Sequence, residues 1–288
     1  MKRTFCLFAL LLTLAAGSLL IPRKASAITY GFVDANNTFA NTGAFIVKAP
    51  NGEIFPLCSG TMITANVFLT ASHCTLAFEQ EFAPAGYTAF VSLDGSVPFG
   101  SLTSNSTNLL AVAHVVTNPN YSQSQSDSGD IGVLILQQNV NGVTPAQLPS
   151  CGLLDQLSKQ NALKGAVFTP VGYGVQNRVV GGGTPFFQDI NPVPRMFAFS
   201  SFSALNKGYL RLSQNPSTGD GGTCFGDSGG PNFLDVNGAR ILAAITITGD
   251  SVCRATTASY RLDIESAQAF LASVNNAFGT TIPISCSN

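Results

Sequence analysis

The sequence predicts an all-β protein closed by one C-terminal α-helix. Short apolar runs alternate with clusters of Gly, Ser, Thr and Asn, the pattern of strands joined by turns. Apolar residues make up 45% of the 288-residue chain and charged residues only 10%, so a sizeable core can be buried. One long stretch, 263–278, instead carries apolar residues at helical spacing: Ile264, Ala267, Phe270, Leu271, Val274 and Phe278.

The elements follow in order. Met1-Lys2-Arg3, an apolar run over 5–21 and Ala25-Ser26-Ala27 have the basic, apolar and small-x-small regions of a secretory signal peptide ending at residue 27. A membrane anchor is the alternative reading of that run. Strand-like runs then occur at 43–48, 61–71, 88–93, 109–116 and 131–136, and a second set at 165–173, 209–212, 232–234, 240–248 and 259–262. Between the sets, 143–164 holds Pro145, Pro149 and a possible short helix, and reads as a connection between two β-domains. The expected division is therefore 1–27 leader, 28–145 first unit, and 146–288 second unit with its helix. Asp263 is expected to cap that helix.

Loss of the leader removes four of the fourteen Lys and Arg, leaving ten against fifteen Asp and Glu, a net of −5. That balance offers no electrostatic footprint for nucleic acid, and no later run is apolar enough to span a membrane. Six of the seven cysteines remain after residue 27. An even number in a secreted chain points to disulfides, with fifteen possible pairings. Zinc is the competing reading, weakened by the absence of a Cys-x-x-Cys pair. Glu79 and Glu81 read as solvated surface acids. No metal or cofactor is expected.

The chemistry concentrates at residues 224–231, Cys-Phe-Gly-Asp-Ser-Gly-Gly-Pro. A serine hydroxyl needs a base to become a nucleophile, and donors aimed at the oxyanion its attack creates. Glycines around Ser228 let backbone N–H groups converge there. The chain has two histidines. His73 ends an apolar strand in Leu-Thr-Ala-Ser-His-Cys, whereas His114 reads as an ordinary strand residue. The base also needs a shielded carboxylate to fix its tautomer. Asp130, at the mouth of the apolar run 131–136, fits better than Asp127, which lies in a polar loop and reads as solvated. Gly226-Asp-Ser-Gly-Gly230 also matches a Gly-x-Ser-x-Gly nucleophile elbow. That motif's histidine follows its serine, and no histidine follows Ser228.

These segments resemble the trypsin/chymotrypsin family of serine endopeptidases. Cys58-Ser-Gly-Thr-Met-Ile-Thr with Leu-Thr-Ala-Ser-His73-Cys74 resembles its histidine segment. Asn120-Tyr121 with Asp130-Ile-Gly-Val-Leu-Ile-Leu resembles its aspartate segment, Gly172-Tyr-Gly174 stands where the family usually has Gly-Trp-Gly, and the octapeptide resembles its serine segment. The resemblance implies two six-stranded antiparallel β-barrels packed together, with the site in the cleft between them. His73 would act as base and then acid, Asp130 as its orienting partner and Ser228 as nucleophile. The N–H groups of Gly226 and Ser228 would form the oxyanion hole. Cys58–Cys74 and Cys224–Cys253 would be disulfides, with Cys151 and Cys286 left to pair.

The resemblance also implies that the amino group freed at Ile28 pairs with Asp227. Ile28-Thr-Tyr-Gly departs from the family's usual Ile-Val-Gly-Gly, but signal-peptide removal alone would create this terminus. Arg178-Val-Val-Gly-Gly looks like an activation site, yet follows both His73 and Asp130 and reads as a surface loop. Gly222, Thr223, Thr248, Gly249 and Ala258 are placed around the primary substrate pocket. Gly222 stands where trypsin-like enzymes carry aspartate, which points to an uncharged residue before the scissile bond; Asp220 is the nearby acid that could still lend a charge. The expected protein is a secreted (extracellular or periplasmic) monomer acting on proteins or peptides. An inactive homologue that binds partners, and an esterase using the same three residues, are the rival readings.

Overall fold

The computed structural model describes residues 28–100, 107–122, 126–175, 177–179, 186–188 and 191–286. The expected signal peptide lies outside them. The first barrel contains β1 (Thr42–Lys48), β2 (Ile54–Met62), β3 (Val67–Thr70), β4 (Thr88–Ser92), β5 (Leu110–Thr117) and β6 (Gly132–Leu136). It closes in the order β1-β2-β3-β6-β5-β4, with β4 returning to β1. The second contains β7 (Val167–Gly172), β8 (Ser200–Leu205), β9 (Tyr209–Ser213), β10 (Pro231–Val236), β11 (Ala239–Gly249) and β12 (Thr256–Arg261). Its order is β7-β8-β9-β12-β11-β10, and the pairing of β10 with β7 closes it. All pairings in both barrels are antiparallel. The protein is thus two six-stranded antiparallel barrels with a C-terminal helix.

Burial explains why these strands form. All five residues of β6 are buried, which matches its uninterrupted Gly-Val-Leu-Ile-Leu sequence. The C-terminal helix, Glu265–Phe278, buries Ala267, Phe270, Leu271 and Val274. Those side chains join one apolar cluster with Leu69, Ile131 and Val133 of the first barrel and Val171, Phe233 and Leu242 of the second. Each large side chain there contributes roughly 1.5–3 kcal/mol on leaving water, so the cluster holds both halves of the interbarrel cleft.

The strand expected over 61–71 is two strands. The Thr64 hydroxyl accepts the N–H of Val67 at 3.0 Å and the N–H of Ile63 reaches back to the Val67 carbonyl at 2.9 Å, turning the chain between β2 and β3. The N-terminal part of β2 was not anticipated, because Pro56 and Gly60 interrupt its apolar pattern. Pro56 is accommodated where the register with β1 shifts between Phe45 and Ile46. Within the connection, a short helix spans Leu153–Lys159. Arg178 and Val179 belong to a two-stranded ribbon, Asn177–Val179 with Phe186–Gln188, and residues 180–182 lie outside the described set.

Asp263 does not cap the C-terminal helix. The N-cap is Ile264, without a side-chain hydrogen bond. The Asp263 carboxylate is fully buried and accepts Nε and Nη2 of Arg261 at 2.9 and 2.8 Å, and the N–H of Leu154 at 2.8 Å. A desolvated carboxylate gains more from a bidentate guanidinium than from one helix N–H.

Candidate active site

His73 stands in the first turn of a short helix, Ser72–Ala77, directly after β3. Its neighbour Ser72 is buried, donates to the Ile131 carbonyl at 2.7 Å and accepts the N–H of Asn118 at 2.9 Å. Asn118 in turn donates from Nδ2 to the Gly129 carbonyl at 2.9 Å. These bonds fasten the helix to the turn that carries Asp130. The Asp130 carboxylate, only 5% exposed, then accepts twice from His73: the backbone N–H at Oδ1 and ring Nδ1 at Oδ2, both at 2.9 Å. With Nδ1 held as a donor, Nε2 is the nitrogen left to accept a proton.

Ser228 and His73 line the same cavity of about 400 Å³, across the Cys58–Cys74 disulfide. The loop that carries Ser228 is fastened to the first barrel by Ser59 of β2. Its N–H donates to the Ser228 carbonyl at 2.8 Å, and its hydroxyl donates to the Gly226 carbonyl at 2.9 Å while accepting the N–H of Tyr173 at 3.0 Å. Gly226 has φ +93°, a conformation that side-chain-bearing residues rarely adopt. The N–H groups of Gly226 and Ser228 enter none of the hydrogen bonds among the described residues. Both N–H groups are therefore left without a protein acceptor among the described residues, and an oxyanion needs donors of that kind.

Asp227 is fully buried. Oδ1 accepts the N–H of Gly174 and Oδ2 the N–H of Cys224, each at 2.8 Å. No salt bridge reaches it among the described residues. Burial pushes its carboxyl up to about 7, against the partial relief of the two N–H bonds. Ile28 is also fully buried, packed with Met196 and Ala198, and Thr29 pairs with Gly222 in both directions at 2.8 and 3.0 Å. No hydrogen bond or salt bridge joins Ile28 and Asp227 among the described residues. Ile28 has φ +58°, an outlier for a β-branched residue.

The pocket residues divide. Thr223, Thr248 and Gly249 line the cavity that holds Ser228, whereas Ala258 lines a second cleft on the Asp130 side of His73. Gly222 lines neither. A Cβ there would meet Gln214 Oε1 at 2.3 Å and its Cβ at 2.4 Å. Gln214, fully buried, thus fills the space beneath Gly222 and donates from Nε2 to Asp250 Oδ1 at 3.0 Å. Sequence reasoning missed Gln214, since a lone polar residue after a strand carries no signal. Asp250 lines the cavity. Burial opposes its ionisation, but the N–H groups of Thr256, Ala255 and Arg254 and the Gln214 amide outweigh burial and hold it down to about 2. Asp220 lies outside the cavity lining, its carboxylate bonded by Ser201 and Thr218.

Of two other expectations one holds, since His114 is a residue of β5, and one does not. His114 is exposed, its ring 4.9 Å from that of Phe278, away from both clefts. Asp127 is not a solvated loop acid. It accepts the hydroxyls of Tyr260 at 2.7 Å and Ser266 at 2.6 Å, bonding its loop to β12 and the C-terminal helix. Burial disfavours its charge, yet those hydroxyls, the Gly129 N–H and nearby Lys207 hold the carboxyl below its usual range.

Three disulfides are formed: Cys58–Cys74, Cys151–Cys286 and Cys224–Cys253. The last ties the Ser228 loop to the β11–β12 loop. Cys58, His73 and Cys74 are the one cluster of metal-ligand types among the described residues, and both its sulfurs are oxidised in a disulfide. A family model described as Trypsin matches residues 32–269.

Proposed function

Because the chain belongs to the trypsin family, we propose that it is a secreted serine endopeptidase. His73 takes the proton of the Ser228 hydroxyl at Nε2 as that oxygen attacks a peptide carbonyl. Asp130 holds the tautomer and stabilises the imidazolium. The N–H groups of Gly226 and Ser228 receive the oxyanion. His73 then protonates the leaving amine, and water repeats the cycle on the acyl-enzyme. The observation that carries this reading is the double hydrogen bond from His73 to buried Asp130, beside a cavity that also exposes Ser228. Three disulfides suit an oxidising compartment. The working division of the chain lies near residue 145, with His73 and Asp130 on one side and Ser228 on the other.

Activation belongs to the same reading. Asp227 is a buried carboxylate with two N–H partners and no cation, a costly state to ionise. An amino group released at Ile28 would supply the charge. As the first residue, Ile28 would also lose its backbone strain, since no preceding carbonyl would remain to clash. For the pocket, Gly222 brings no countercharge, Gln214 fills the space below it, and Oδ1 of Asp250 is engaged by Gln214 and three N–H groups. We read it as taking an uncharged side chain. Purified mature protein should cleave unstructured peptides, and Ser228→Ala should abolish that cleavage; equal rates from both proteins would refute the mechanism.

A further inference from the structure

A second cleft of about 730 Å³ opens on the Asp130 side of His73. It shares His73, Ile247 and Thr248 with the cavity that holds Ser228, so the two form arms of one groove passing the reacting groups. Its polar lining is donor-rich. Arg211, on β9, is exposed, and its guanidinium has no salt bridge or hydrogen bond to another described residue. Ser128 is 93% buried by its 7% exposure, and its hydroxyl has no partner among the described residues. Tyr121 adds a phenolic hydroxyl. The one carboxylate lining this cleft, Asp130, is already engaged by His73.

A buried hydroxyl without a partner is uncommon in a native protein, and the guanidinium that lines the same cleft supplies a fork of donors suited to a carboxylate. We propose that this arm is a specificity subsite for an acidic side chain of the peptide substrate, with Arg211 as its charge partner and Ser128 as a hydrogen-bond donor. The inference rests on the endopeptidase reading: a peptide seated for attack by Ser228 lays a flanking residue along Ile247 and Thr248 into this arm. It also differs in chemistry from the primary pocket, where the charged lining residue is an acid, Asp250.

The test uses the mature protein and fluorogenic peptides that carry Glu, Gln or Lys at each position flanking one scissile bond. At one such position, kcat/KM should favour Glu over Gln, and Gln over Lys. The exposed guanidinium makes each step about 1.5- to fivefold, shrinking with added salt. Arg211→Gln should level the series and Arg211→Glu should invert it, both with unchanged circular dichroism. Equal cleavage of the three peptides at every position by wild type would overturn the proposal. So would an unchanged Glu preference in Arg211→Glu. Labelling of Ser228 by a fluorophosphonate separates the failures: labelling and cleavage without a Glu preference sinks only the subsite, whereas a protein that neither labels nor cleaves takes the endopeptidase reading with it.

Discussion

Asp227 makes the activation proposal quantitative. Its carboxyl titrates near 7 in the folded chain against an ordinary value of 3.8. A folded value above the unfolded one means that the folded state binds the extra proton. That contribution to stability is fully present below about pH 4 and is lost as the pH rises through 7. At ~1.4 kcal/mol per pH unit, the loss comes to about 4 kcal/mol. Full burial leaves little solvent to screen this effect. The perturbation is to block the Ile28 amine with a short uncleavable extension, in a Ser228→Ala background that prevents self-digestion. Urea unfolding at 25 °C from about pH 4 to pH 8 should show the loss in the extended protein. In the protein that begins at Ile28, an ammonium paired with Asp227 would hold it ionised, and stability should stay level over the same range. Contributions from Asp127 and Asp250 are common to both proteins and cancel in the comparison. Asp227→Asn in the extended protein should flatten its profile. Coincident profiles for the extended and free-terminus proteins would refute the pairing.

Asp130→Asn should lower kcat about ten-thousandfold with little change in KM, the effect of holding a His-Ser pair in the wrong tautomer; peptide hydrolysis with purified variant measures it. Gly226→Ala, forced to φ +93°, should lose about a hundred- to thousandfold in kcat through its oxyanion donor, read by steady-state kinetics. Gly222→Asp should not create cleavage after Lys or Arg, because its side chain meets Gln214; a lower Tm, partly restored by adding Gln214→Gly, would show the collision. Replacing Cys151 and Cys286 together by Ser releases a cross-link spanning 135 residues and should cost about 2–5 kcal/mol in denaturant unfolding.

The long-range parts legible in the sequence, the two barrels and the disulfides, came through the family resemblance; the parts legible from the residues themselves share one property: they are local. The apolar run of β6 announces a buried strand, and Asp130 at its mouth follows from the same few residues. The helix over 265–278 is visible from its spacing alone. What escaped notice depends on contacts between distant segments. Ser59 looks like a minor member of a Cys-Ser-Gly-Thr string, yet its N–H and hydroxyl hold the Ser228 loop from 167 or more residues away. Asp263 resembles a cap in its local sequence, but Arg261 together with Leu154 outcompetes that role. Asp127 sits in a polar loop that suggests solvation, but folding brings Tyr260 and Ser266 to it. Gln214 beneath Gly222 follows the same rule. Periodicity reports which face of a strand is buried, not which side chain lies behind a given glycine.

The central claim is that Ser228 is the nucleophile activated by His73. Its most direct measurement is mass-spectrometric location of a fluorophosphonate adduct on the folded mature protein, with His73→Ala and Ser228→Ala alongside. One adduct is expected, on the Ser228-containing peptide, formed far more slowly in His73→Ala and absent in Ser228→Ala. An adduct on another residue, or equal labelling of Ser228 with and without His73, would contradict it.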